Sequence, residues 1–443
     1  MSNEVVVTGI GPVTGFGVGI EPLWAAMLEG RSAIRRIEAF DPSGFTCHAG
    51  GELPKDAFSI RDWVPRSDRK STKVMCRDIE LAVAAAAAAV KDAGLSTRAT
   101  GATDEDPPTI RPDRFGCHIG AGLISADLDE LTLALASSRS EDGRDVDLSQ
   151  WGAQGMQTLT PLWLLKYLPN MLACHVTIVH DCRGPSNTIT CCEASGHLSL
   201  GESLRVIQRG AADACLSGGA ESKLNPMAFA RQQMSGRLRE TEAADADGCA
   251  VRPFDPAADG TVIGEGGGIL VLERADVAAA RGATPYARLR GMSATQGHWT
   301  DARGRGFPED DRSIADAIEL ALEQAGASAD EVDAVVPFGS GVPGTDAAEA
   351  RALASVFGDR AASIPVVTTV PFTGSCSAGN GAVALCVAAQ MLRTQTLPAR
   401  LHSAGQPGLD AGAADARPAD LRTVVAVTTS QGGQNAAVVM SRV

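Results

Sequence analysis

Val5-Val6-Val7-Thr8-Gly9-Ile10-Gly11 reads as a short buried strand that ends in a tight glycine turn, the usual opening of a doubly wound α/β unit. Outward from it, Glu21 to Leu28 has helical spacing. Arg77 to Ala93 is the clearest helix, with Ile79, Leu81, Ala82 and Val90 among a run of alanines and Gly94 at a plausible C-terminus. Strand-then-helix alternation recurs at Phe115–Gly120 into Ala126–Ala136, Ala214–Leu216, Gly268–Leu272, Ala334–Phe338 into Asp346–Phe357, and Val424–Thr428. Such alternation predicts an α/β fold with largely buried sheets.

The 443 residues could fill two or three average domains or one large duplicated unit. Polar stretches at Ser96–Asp113, Ser138–Gln150, Glu240–Gly248 and Gln406–Ala416 read as surface loops, and none has the look of a long linker. Two halves of similar order, 1–274 and 275–443, divide near Arg274. A net charge of −14 without a dense Lys/Arg run argues against nucleic acid or an anionic membrane as the main partner. Eleven cysteines without CxxC pairs or histidine-ligand spacing suggest neither a metal site nor a disulfide framework. With no basic leader before Val5 and no apolar run of about 18 residues, the expectation is a cytoplasmic chain with no cofactor.

Four segments carry a more specific signal. They are Val5 to Gly11; Gly184-Pro185-Ser186 with Ser195-Gly196 and Gly218-Gly219-Ala220-Glu221; Arg252-Pro253-Phe254-Asp255 with Asp259-Gly260 and Gly264-Glu265-Gly266; and Gly339 to Ala350 with Pro365-Val366-Val367 and Thr373-Gly374. Each alone is a weak Gly/Pro pattern. In this order and spacing the chain resembles the β-ketoacyl-acyl-carrier-protein synthase family of the thiolase superfamily. The resemblance implies the thiolase fold, a duplicated five-layered α-β-α-β-α sandwich that works as a dimer.

Members of that family carry an acyl chain on a cysteine at the N-terminus of a buried helix, where the helix dipole favours the thiolate. The motif is Thr-Ala-Cys, a small residue, then Ser/Thr-Gly. Registering Ser195-Gly196 on its end puts Glu193 at the nucleophile's position, with Cys191 and Cys192 two residues and one residue too early. One helical step turns a side chain by about 100°, so neither thiol is expected to face the same pocket; a register slipped by one would instead make Cys192 the nucleophile. The family's first histidine precedes Gly-Thr, and Phe338 takes that place before Gly339-Ser340. Its lysine and second histidine correspond to Val370 and Ser375. The Gly-Phe-Gly-Gly-Thr-Asn gate corresponds to Ser430-Gln431-Gly432-Gly433-Gln434-Asn435. Losing one oxyanion donor typically costs about 10²–10³ in rate, and a carboxylate is a poor nucleophile towards a thioester. His175, His197 and Cys376 read as structural residues.

The pattern is most similar to the chain-length-factor (KSβ) subunits of type II polyketide synthases. The resemblance then implies a heterodimer with a cysteine-bearing ketosynthase (KSα), an acyl carrier protein as donor, and a polyketide chain reaching across the interface. Leu128, Leu131, Thr132 and Leu135 are candidates for lining its tunnel, although their spacing equally describes a core face. Two rivals stand beside this reading: a malonyl-carrier-protein decarboxylase or atypical acyltransferase that uses Glu193 or a nearby thiol, and a homodimer that scaffolds other proteins.

Overall fold

The computed structural model describes residues 4–103, 105–298 and 307–443. Nine strands form one continuous path: β1 (Val5–Thr14), β2 (Phe115–Gly120), β3 (Ser186–Ile189), β4 (Ala214–Ser222), β5 (Glu265–Arg274), β6 (Ala287–Gln296), β7 (Ala334–Val336), β8 (Thr423–Thr429) and β9 (Gln434–Ser441). Their spatial order is β7-β8-β9-β6-β1-β5-β4-β2-β3. From β1 outward, β5 and then β4 pair antiparallel, and β4, β2 and β3 are mutually parallel. From β6 outward the same pattern returns: β9 and then β8 pair antiparallel, β7 is parallel to β8, and a parallel bridge joins Val335 to Val366. The two sides meet where Val5–Val7 pairs with Ala287–Leu289.

The helices that bear on the site are α1 (Ile20–Glu29), α2 (Arg77–Asp92), α3 (Leu128–Ala136), α4 (Met171–His180), α5 (Ser195–Gln208), α6 (Pro226–Met234), α7 (Ser313–Ala325), α8 (Pro343–Phe357) and α9 (Asn380–Thr394). Strand alternation sorts them into five layers. Ile269 and Val271 of β5 point to an outer core with α2 and α4, while Leu270 and Leu272 point to a central core with α5 and α9. On the other side Val425 and Val427 of β8 face α7 and α8, and Val424 and Ala426 face the central pair. Both faces of each sheet are therefore covered, which is why these strands read as apolar runs.

The opening strand departs from its sequence reading. The turn expected at Gly9–Gly11 is absent, and β1 runs on to Thr14 with every residue buried. The glycines serve α2 instead: a Cβ on Gly9 would lie 2.4 Å from the Ala89 carbonyl oxygen, and one on Gly11 would lie 2.2 Å from that of Ala85. The alanine run of α2 and the two glycines are thus one adaptation, a helix seated directly on a strand. Beyond α2, Gly94 takes φ +65° as the helix's left-handed stop. No described helix is long and apolar enough to cross a membrane.

Candidate functional site

The two central helices begin alike. Cys192, three residues before α5, and Ser377, three before α9, both have φ +48°. Gly196 and Gly381 let the helices approach: a Cβ on the first would meet the Ala382 nitrogen at 2.9 Å, and one on the second His197 Nδ1 at 2.4 Å. Ser195 Oγ accepts the Cys191 N–H at 2.9 Å and donates to the Cys192 carbonyl at 2.6 Å, which closes the turn before α5 and fixes Glu193.

Glu193 is 5 % exposed. Arg237 Nη1 donates to its Oε1 at 2.8 Å, and the Gln431 N–H donates to Oε2 at 3.2 Å. Burial alone would raise this carboxyl, but the Arg237 guanidinium and the backbone donors outweigh it and hold the group below the usual range. Arg237 is itself 4 % exposed, so the pair is buried on both sides. Nothing in the Ser235-Gly236-Arg237 context marks this arginine in the sequence; only the fold delivers it to Glu193.

The pair closes one side of a cavity of about 280 Å³ bordered also by Leu123, Cys192, Arg231 and Gln431. Here the sequence reading needs correction: Cys192 borders the same cavity as Glu193 and is exposed. The expected 100° rotation does not apply, because the chain enters α5 through a left-handed residue and a 3₁₀ turn. The enclosing walls, with Glu193 and Glu221 nearby, push the Cys192 thiol up to about 12, and burial raises that of the half-buried Cys191. At pH 7.5, alkylation of Cys192 by iodoacetamide is expected to run about a hundred- to a thousandfold slower than that of an unperturbed thiol. Peptide mapping by mass spectrometry measures it; labelling at the free-thiol rate would show that the site does not suppress this thiol, and faster labelling would show an activated cysteine.

The remaining positions are apolar or tied to backbone. Phe338 and Val370 are fully buried in one cluster with Leu224, Phe229, Leu238, Val251 and Ile263. Ser375 is 3 % exposed, and its backbone is clamped between Val262 and Gly264. Cys376 is buried, its thiol pushed up to about 12 by burial. His197 lies buried in α5, where burial lowers it to about 3, and His175 lies in α4, also lowered by burial; neither borders the cavity. Among the described residues, no group of three histidine, cysteine, aspartate or glutamate side chains could hold a metal ion.

Buried carboxylates hold the backbone around these residues. Asp346 accepts the N–H groups of Phe254, Ser340 and Gly341 at 2.9–3.0 Å. Glu349 accepts those of Phe338 and Gly339 at 3.0 and 2.8 Å. Asp255 accepts the Ala257 and Ala404 N–H groups, and Asp259 pairs with Arg239 at 3.1 Å. Ser430, Gln431, Gly432 and Gly433 form the turn between β8 and β9. Gly432 and Gly433 lie at φ +105° and +89°, and Ser430 Oγ donates to the Gln434 carbonyl at 3.0 Å.

The tunnel candidates lie apart from this cavity. Leu128 and Thr132 are exposed and Leu131 and Leu135 half-buried on α3, whose one buried residue is Ala134; α3 is therefore no ordinary core helix. Leu128 sits at the rim of a second, larger cleft of about 630 Å³.

The N-terminal domain family of β-ketoacyl synthases matches residues 2–278, and the C-terminal domain family matches residues 286–404. The tetracenomycin polyketide synthase ketoacyl synthase beta subunit of Streptomyces glaucescens is 34% identical over 444 residues, covering 99% of this chain and 98% of that one. The 3-oxoacyl-[acyl-carrier-protein] synthase 2 of Staphylococcus aureus is 29% identical over 447 residues, covering 100% and 99%. Among solved structures, the ishigamide ketosynthase/chain length factor superposes with a TM-score of 0.82 at 27% identity, covering both chains completely.

Proposed function

Because the chain belongs to the β-ketoacyl synthase family, with the thiolase fold, we propose that it is a catalytically silent chain-length factor that pairs with an active ketosynthase in type II polyketide biosynthesis. The observation that carries this reading is the buried Glu193–Arg237 ion pair at the nucleophile's position, with no described imidazole bordering its cavity. In this reading the carrier protein delivers the chain to the partner's cysteine, and this subunit shapes the space into which the chain grows. The halves 1–274 and 275–443 are the units of the duplication, an assignment supported by the repeated strand order.

The pairing surface is argued from exposure. β3 is the last strand of the sheet path, with Ser186 and Asn187 exposed. Its inward bonds use the Pro185 and Ile189 carbonyls, so the parallel register turns the Ser186 and Thr188 backbone outward, and the Asn187 side chain accepts the Thr188 N–H at 2.8 Å. Among the described residues no strand pairs with this edge, and an edge of this kind is a template for another strand. Of the thirteen large hydrophobic residues exposed among the described ones, nine lie between Leu123 and Ile178, a concentration that marks an interaction face. Leu128, Leu131, Thr132 and Leu135 belong to this stretch, where the proposed role is to border the chain at the interface.

Co-expression with the cysteine-bearing ketosynthase of the same gene cluster tests the reading: a stable heterodimer is expected, and recovery of this chain only as a homodimer would count against it. Thr188→Pro removes an outward N–H while sparing the inward ladder, and should weaken that heterodimer at least about tenfold by sedimentation; unchanged affinity would remove β3 from the interface. The acyltransferase reading draws on the solvent-reaching Cys192, and its high thiol pKa weighs against it. A covalent acyl adduct on the isolated chain after incubation with acyl-carrier protein would reverse that judgement.

A further inference from the structure

The turn between β8 and β9 is held from two sides. On the strand side the Ser430 N–H donates to the Gln434 carbonyl at 2.9 Å and the Gly433 N–H to the Ser430 carbonyl at 3.0 Å, while the Gly433 carbonyl accepts the Gly297 N–H at 2.7 Å. Gln296 Nε2 donates to the Gly432 carbonyl, also at 2.7 Å. These bonds leave out Gln431. Its N–H points the other way, to Glu193 Oε2 at 3.2 Å, and Glu193 stands in the 3₁₀ turn that leads into α5.

The tip of the turn has little else to fix it. Gly432 and Gly433 carry no side chain to pack, and glycine takes left- and right-handed backbone with similar ease, so neither dictates where Gln431 lies. Gln431 is half-buried and Gly432 exposed. Glu193, in contrast, is held at both ends: Oε1 accepts Arg237 Nη1 at 2.8 Å, and its backbone carbonyl accepts the Thr428 hydroxyl of β8 at 3.3 Å. We infer that the Glu193 carboxylate is a latch, which pins the Gln431 turn towards α5 and makes it a fixed wall of the 280 Å³ cavity instead of a movable flap. Arg237 is the positioning residue that aims the carboxylate.

The consequence rests on the pairing proposed above. The latched cavity is lined by five charged side chains, Glu193, Glu221, Lys223, Arg231 and Arg237, and an apolar chain could enter only by stripping water from them. A wall that does not swing aside offers no other way in. The acyl chain is thereby kept out of this subunit's own pocket and left to the partner's side of the interface.

Hydrogen exchange of the full chain, resolved to single amides by fragmentation mass spectrometry, tests the latch. The Gln431 amide is expected to exchange at least about tenfold more slowly than in an open peptide, the protection that one hydrogen bond to a charged group gives. Two variants separate the latch from the fold. Glu193→Gln leaves its oxygen to Arg237 and faces Gln431 with an NH2 group, and Glu193→Ala/Arg237→Met removes both charges together. In each, Gln431 should approach the open-peptide rate while amides of the β8 and β9 ladder stay within about twofold of wild type. An unprotected Gln431 in the wild type, or protection that survives in the double variant, overturns the latch. Octanoyl-pantetheine titrated into the isolated wild-type chain by calorimetry tests the exclusion: no binding is expected, and stoichiometric binding would overturn it. Both measurements use the lone chain, so failure of the heterodimer to form would strike the pairing and not the latch.

Discussion

Glu193→Ala is expected to lower stability by about 3–5 kcal/mol, because it leaves the Arg237 guanidinium buried with no counter-charge. Urea denaturation with a constant m-value measures it. Glu193→Gln should lose somewhat less than Glu193→Ala, since its one amide oxygen still accepts from Arg237, although its NH2 group then faces the Gln431 N–H and the guanidinium keeps no counter-charge. The double variant Glu193→Ala/Arg237→Met should recover most of the loss, because a well-packed apolar pair often equals or exceeds a buried ion pair. The pH dependence has a definite sign. Glu193 has a folded pKa below its unfolded value, so its contribution is complete above about pH 4.5 and fades as pH falls further through the folded value. A Glu193→Ala protein as stable as wild type at neutral pH would mean that the pair is not formed.

Restoring sulfur alone should not restore condensation. Glu193→Cys, assayed in complex with a partner whose nucleophile is alanine, is expected to form product about 10⁴–10⁶-fold more slowly than the intact partner. Two donor positions, Phe338 and Ser375, lack an imidazole, and each missing donor typically costs about 10²–10³. Adding Phe338→His, Ser375→His and Val370→Lys should recover part of that rate only if the apolar cluster around Phe338 and Val370 tolerates the polar groups. Single-turnover assays with acyl- and malonyl-carrier protein measure both. Product from Glu193→Cys alone within about a hundredfold of the intact partner would show that the pocket kept a catalytic device absent from its sequence positions.

The alternation of strands and helices was legible because apolar runs and helical spacing survive whatever surrounds them, while the layering was implied by the resemblance. The strands at Phe115–Gly120 and Val424–Thr428 and the helix from Arg77 stand close to where their side chains predict them. Gly9 and Gly11 misled, since a glycine that admits a helix and one that admits a turn have the same signature until the neighbour is known. Cys192 misled for a related reason: its left-handed backbone, which most side chains avoid, reset the direction of a thiol that helical geometry alone would have turned away.

The sequence by itself determined the family, because its motifs are residue identities at fixed spacing; the layer order followed from that family, and the assignment of Glu193, Phe338 and Ser375 to its cysteine and histidine positions is part of the proposal. Only the tertiary structure decided that Glu193 is neutralised by Arg237, 44 positions away, and that its second oxygen meets the Gln431 N–H. A charge placed in the interior takes its state from groups that the folded chain brings within a few ångströms, and that proximity has no counterpart in the order of the residues.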